Sequence, residues 1–167
     1  EVGPSAALTI GNNTSSSGIY NLSDTGQLTA GNVYVSAGGR GQFNQTGGSN
    51  NSNTVVIGVN PGDIGNYNLS GGGLTVLNAI VNNGEFNYSG GTLNAGQFLN
   101  NAGGAFRVSG PAEQIVQADV TAAGGSTTTI DVTTAVFTGT FSLDGAFYSD
   151  PSTIRFMNTL TVASTGF

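Results

Sequence analysis

The sequence predicts an all-β fold, a parallel β-helix or β-solenoid, on three observations. One short phrase recurs: "GIYNLSDTGQLT" from Gly18, "GQFNQTGGS" from Gly41, "GNYNLSGGGLT" from Gly65, "GEFNYSGGTLN" from Gly84 and "GAFRVSGPAEQ" from Gly104. The aromatic residues of these phrases, Tyr20, Phe43, Tyr67, Phe86 and Phe106, return after 23, 24, 19 and 20 residues, a range typical of stacked repeats. The residues between apolar pairs, "TGG", "SGGG", "SGG" and "SGP", repeat at one phase. They are residue types that bend tightly or accept positive φ.

Each coil of 19–24 residues reads as three short strands, giving about six to seven coils. The first strand carries the aromatic and, two residues on, Leu22, Gln45, Leu69, Tyr88 or Val108, which is the strand period. A second apolar pair follows: Leu28 and Ala30, Val55 and Ile57, Leu74 and Val76, Leu93 and Ala95. A third comprises Val33 with Val35, Ile80 with Val81, and Phe98 with Leu99. No segment keeps a 3.6-residue period, and glycine costs about 1 kcal/mol inside a helix. A β-sandwich would also use short, regularly spaced strands, but it does not explain corner chemistry that repeats in phase. Coil length points to a right-handed winding.

The chain divides into three stretches. Residues 1–17 read as an N-terminal arm and partial first coil, with "LTIGNN" matching "VVIGVN" and Ile10 falling opposite Ile57. Pro4 sets the arm off, and Val2, Leu8 and Ile10 are spaced to add a strand to a neighbouring subunit. Residues 18–126 are the regular coils. Residues 127–167 are a less regular β region, in which Ile130 and Ile154 continue the aromatic column. Its last segment spaces Ile154, Phe156, Leu160 and Val162 by twos and is expected to end mid-coil without a polar cap.

Asn21, Asn44, Asn68 and Asn87 each follow the anchor aromatic, so alternation turns them outward into a stacked amide ladder. Each also heads an N-x-S/T triplet, the acceptor pattern for N-glycans. The ladder is the simpler explanation, in a chain this rich in Asn, Ser and Thr.

At this point a resemblance is legible. "YNLSGGGLT" and "GQFNQTGG" resemble repeats of secreted bacterial surface proteins, both autotransporter-passenger-like and PEP-CTERM-type exported repeat proteins. The likeness covers about residues 18 to 110, and "SDPSTIRFMNTLTV" is similar to a segment near the ends of some of them. It implies a β-solenoid with a cell-surface or matrix role, and it carries over no catalytic residue.

Composition narrows the function. The 167 residues carry a net charge of −6, no lysine and three arginines, so a nucleic-acid partner is not expected. No apolar run is long enough for a membrane-spanning helix, and no membrane insertion is expected. Without His, Cys or Lys, most nucleophile–base pairs and ordinary zinc sites are lost. Asp119 and Asp131 could approach if they fell on successive coils, yet no two carboxylates recur around a groove as glycoside hydrolysis needs. No enzyme activity, catalytic residue, cofactor or metal site is expected. The expected function is structural: an extracellular block that self-assembles head to tail into a surface fibre, with itself as partner. The alternatives are a piece of a larger adhesin passenger or a glycan-binding module, with surface glycans as the second class of partner.

Overall fold

The structure, a computed structural model, describes residues 5–60, 62–132, 134–150 and 152–163. Val2 and Pro4 of the expected arm lie outside these residues. Fifteen strands form, with no helix among the described residues, and every strand pairing is parallel.

Three faces wind around one core. The first face stacks β2 (Ser17–Leu22), the starts of β4 (Arg40–Ile57) and β5 (Ile64–Asn82), then β6 (Glu85–Tyr88), β8 (Ala105–Gly110), β10 (Thr127–Val132) and β13 (Ala146–Ser149). The second face takes the early parts of β3 (Gln27–Val35), β7 (Thr92–Asn100) and β9 (Gln114–Ala122), the middles of β4 and β5, then β11 (Thr134–Phe137) and β14 (Thr153–Phe156). The third begins with β1 (Ala7–Ile10), continues through the later parts of the long strands, and ends with β12 (Phe141–Leu143) and β15 (Leu160–Val162). The molecule is a parallel β-solenoid of about seven turns. Strands β4 and β5, of 18 and 19 residues, pair with each other on all three faces with shifts of register at the corners, so each coil there runs as one long strand.

Close stacking at the corners dictates glycine. Gly72 has φ +75°, and a Cβ there would collide with the Gly48 carbonyl oxygen of the coil beneath. A Cβ on Gly84, which opens its phrase, would strike the Gly65 carbonyl oxygen in the same way.

Like residues then meet like. The Tyr20, Phe43, Tyr67 and Phe86 rings form one column, with successive centroids 5.0, 4.5 and 5.2 Å apart. The stack breaks after Phe86. Phe106 stands edge-on to it at 5.9 Å, and Phe98 arrives from the third face to stack on Phe106 at 4.2 Å. A second aromatic group, Phe137, Phe141, Phe147 and Phe156, fills the last two coils.

The sequence register needs correction at several places. Val55 and Ile57, read as a second-strand pair, lie on the third face opposite Val33 and Val35, and the second-face places of that coil go to Asn50 and Ser52. Ile130 is buried, but it stacks on Val108; the place opposite Phe106 belongs to Thr128, a step of 22 residues (128 − 106), followed by Phe147. Ile154 leaves the first face and stacks on Ala135 in the second. Hydrophobic pattern favoured the two isoleucines over a threonine, whereas strand pairing sets the column. On the third face Ile80 and Phe98 point inward, while Val81 and Leu99 point outward and the second inward place goes to Asn82 and Asn100.

Thr128 is fully buried in an otherwise aromatic column, and its hydroxyl finds no partner. A buried hydroxyl left unpaired costs about 1–3 kcal/mol. Thr128→Val keeps the shape and removes the orphan group. Thermal unfolding should therefore shift upward by about 2–4 °C per kcal/mol recovered; an unchanged or lower midpoint would place that hydroxyl in a hydrogen bond.

Candidate functional site

The side chains that alternation sends outward from the first face form the amide ladder directly. Asn44 Nδ2 donates to Asn21 Oδ1 at 2.9 Å, Asn68 Nδ2 to Asn44 Oδ1 at 2.9 Å, and Asn87 Nδ2 to Asn68 Oδ1 at 3.0 Å. The column continues as Arg107, Thr129 and Tyr148. A glycan on Asn44, Asn68 or Asn87 would replace one of the two hydrogens of an amide nitrogen that already donates to the coil beneath.

A second set of amides lies inside, where the sequence reading placed none. Asn82 and Asn100 occupy the column of Ile10, Val35 and Ile57 and are fully buried. Asn82 Nδ2 donates to Asn100 Oδ1 at 2.8 Å and to the Ala105 carbonyl at 2.9 Å, and Asn100 Nδ2 donates to the Thr127 carbonyl at 2.9 Å. Each ties the end of its coil to the strand that opens the coil after next, β8 for Asn82 and β10 for Asn100. Their partners Asn83 and Asn101 repeat the link on the outer side of the corner, at 2.8 Å. The doubled asparagines at 82–83 and 100–101, each just ahead of a corner glycine, were the available signal.

Tyr67 is core-facing, but its hydroxyl is the hub of a buried polar chain. Tyr67 Oη donates to Gln45 Oε1 at 2.7 Å and accepts from Asn50 Nδ2 at 3.0 Å; Ser52 Oγ donates to Asn50 Oδ1 at 2.6 Å. Gln45 Nε2 completes the chain by donating to the Gly73 carbonyl at 2.8 Å. Burial pushes the Tyr67 phenol far above its usual range, and the Asn50 donor offsets only part of that. Burial raises Tyr88 too, against the Ile115 main-chain contact that lowers it.

The acids are spread over separate faces. Partial burial opposes the charged form of Asp63, but hydrogen bonds from the Asn60 and Gly38 main-chain N–H groups and the Asn60 amide outweigh it, and its carboxyl titrates below the usual range. Asp119 is lowered by the Thr140 main-chain N–H and hydroxyl, at 2.8 and 2.9 Å. Asp131 pairs with Arg107. Asp119 faces out from the third face and Asp131 from the first, so the two do not approach. Among the described residues no group of three or more potential metal ligands occurs. One recess, of about 430 Å³, sits at the corner between the third and first faces and is lined by neutral residues, including Val59, Asn60 and Asn83. Another, about 390 Å³, brings Asp131 and Asp150 beside Tyr148.

The expected assembly residues lie at both ends. Leu8 and Ile10 are not on a free arm: β1 pairs with β3 of its own chain, Ile10 is buried, and Leu8 packs on the core. Hydrogen bonding to its own sheet outweighs leaving that strand loose. At the other end Ile154 and Phe156 are half-buried, and Leu160 and Val162 remain 43% and 61% exposed although they continue inward columns.

The raised phenols have a pH consequence. An unfolded tyrosine ionises near 10. Keeping Tyr67 and Tyr88 neutral therefore contributes stability that is fully present below pH ~10 and is lost as pH rises beyond it. The phenolate absorbance of these two residues should appear only together with loss of the β circular dichroism signal. Complete phenolate formation in a still-folded chain would overturn the buried network.

No protein-family model, curated protein or solved structure matches this chain.

Proposed function

We propose that the chain is an architectural, non-enzymatic protein that works outside the cell as a unit of a surface fibre, stacking head to tail on copies of itself. The observation that carries this reading is the matching of its two ends on the third face. Leu8 and Ile10 of β1 open the two inward columns that Leu160 and Val162 of β15 close. Laying β15 of one copy against β1 of the next continues both columns in register and covers exposed leucine and valine. The outer edges of β1 and β15 are unpaired among the described residues, and such edges are the usual template for strand addition. Acidic, lysine-free composition and the likeness of the repeats to secreted surface proteins support an extracellular setting.

Electron microscopy of the untagged chain at micromolar concentration should show unbranched filaments with a subunit repeat of about 30–35 Å, seven rungs of roughly 4.8 Å each. Leu160→Asp should leave the thermal midpoint nearly unchanged and abolish the filaments, because it places a charge at the joint. Dispersed particles from the unaltered chain would defeat the assembly reading.

One observation favours a second reading, glycan binding. The Tyr148 ring is 60% exposed beside Asp131 and Asp150 on the outer wall, an aromatic platform with carboxylate acceptors for sugar hydroxyls. If this recess takes sugars, the chain will be retained on a neutral polysaccharide column and Tyr148→Ala will elute early. Equal elution of the two would remove this reading.

A further inference from the structure

At the corner between the third and first faces, the fold imposes a chemically labile pair of residues. Asn83 precedes Gly84, and this is the single Asn–Gly pair in the 167 residues. Packing fixes each half of it. A Cβ on Gly84 would strike the Gly65 carbonyl oxygen, so the corner calls for glycine. Asn83 ties its coil to those on either side: its Nδ2 donates to the Gly58 carbonyl at 2.6 Å, and its Oδ1 accepts from Asn101 Nδ2 at 2.8 Å. Asn101, one coil further on, is followed by Ala102 and carries no such lability.

An asparagine before glycine loses its side-chain amide readily, because a glycine nitrogen, with no Cβ beside it, reaches the asparagine Cγ. The Gly84 nitrogen gives its proton to hydroxide and attacks Asn83 Cγ. The N–Cγ bond forms, the Cγ–Nδ2 bond breaks, and the amide leaves as ammonia. Water then opens the five-membered imide at either carbonyl. The product is aspartate or, where the chain is rerouted through the side-chain carbon, isoaspartate. In the folded chain each group of that step is held. Asn83 Nδ2 and Oδ1 are both bonded to other coils, which fixes Cγ, and the Gly84 N–H donates to Asn82 Oδ1 at 3.3 Å. Asn83 also lines the open recess of about 430 Å³, so water is at hand once the amide is freed.

We propose that Asn83 is a modification site gated by the opening of this corner. It stays an amide while the coils are closed and converts to aspartate or isoaspartate when they part. The step is one-way. An ionised aspartate has no hydrogen to donate, and one of its oxygens would face the Gly58 carbonyl where Nδ2 now sits. Isoaspartate adds a carbon to the main chain and displaces the rungs that follow. A corner that has opened for long enough therefore does not close as before. The site belongs to the single block and is independent of whether blocks assemble.

The unaltered chain, held in mildly alkaline buffer, is compared folded and in guanidinium by peptide mass mapping. Conversion of Asn83 should be at least about ten-fold slower in the folded chain, because only its opened fraction reacts. Asn101→Ala frees Asn83 Oδ1 and should raise the folded-state rate while the β circular dichroism signal is retained. Equal rates for the folded and the denatured chain would overturn the gate, and that comparison needs no variant. Asn83→Asp carries the product directly. It should melt below the unaltered chain, and an equal midpoint would overturn the one-way step.

Discussion

Rung-on-rung register is the constraint on which the rest of this structure depends. Parallel strands stacked at about 4.8 Å put each side chain over its counterpart in the next coil, so every position is chosen for compatibility with a near copy of itself. Aromatic rings accept that arrangement by stacking, as Phe43 and Tyr67 do with their planes 6° apart. Asparagines accept it because each amide carries both a donor and an acceptor. Charges do not accept it, and an ion pair, Arg107 with Asp131, sits where the Asn column ends. The backbone obeys the same rule at the corners, where Gly72 lies directly over a carbonyl and leaves no room for a side chain.

The interior shows what uniform stacking cannot supply. Two networks among the buried polar side chains tie parts of the chain that the ladder alone leaves loose. Asn82 and Asn100 bind the end of one coil to the opening strand of the coil after next, across the corner where strand pairing is interrupted. Gln45, Asn50, Ser52 and Tyr67 link the first and second faces across the core. Each amide is costly to bury alone and is kept because the network satisfies it. Thr128 is the exception: it occupies an aromatic column without a partner, and nothing in its surroundings explains the choice of residue.

The outer surface is divided by chemistry among the three faces. The first carries amides and then Arg107, Thr129 and Tyr148; the third carries an outward column of Tyr34, Val56, Val81 and Leu99; the last coil leaves the inward-type side chains of Leu160 and Val162 exposed.

The period, the corner glycines, the aromatic column from Tyr20 to Phe106 and the outward Asn ladder were all legible in the sequence, because identical environments in successive coils select similar residues. Where coils are alike, alignment of the chain with itself is alignment in space. The legible part ends where coils differ in length. Ile130 and Ile154 were misplaced because hydrophobic pattern alone does not count residues in a corner, whereas backbone pairing does. Asn82 and Asn100 were hidden because an amide reads as surface until its partners are seen, and Val81 and Leu99 read as core for the converse reason. The exposure of Leu77 depends on a one-residue bulge that only the pairing of three successive coils defines. Composition and periodicity determined the architecture; tertiary packing alone decided which polar groups went in and which apolar groups were left facing out.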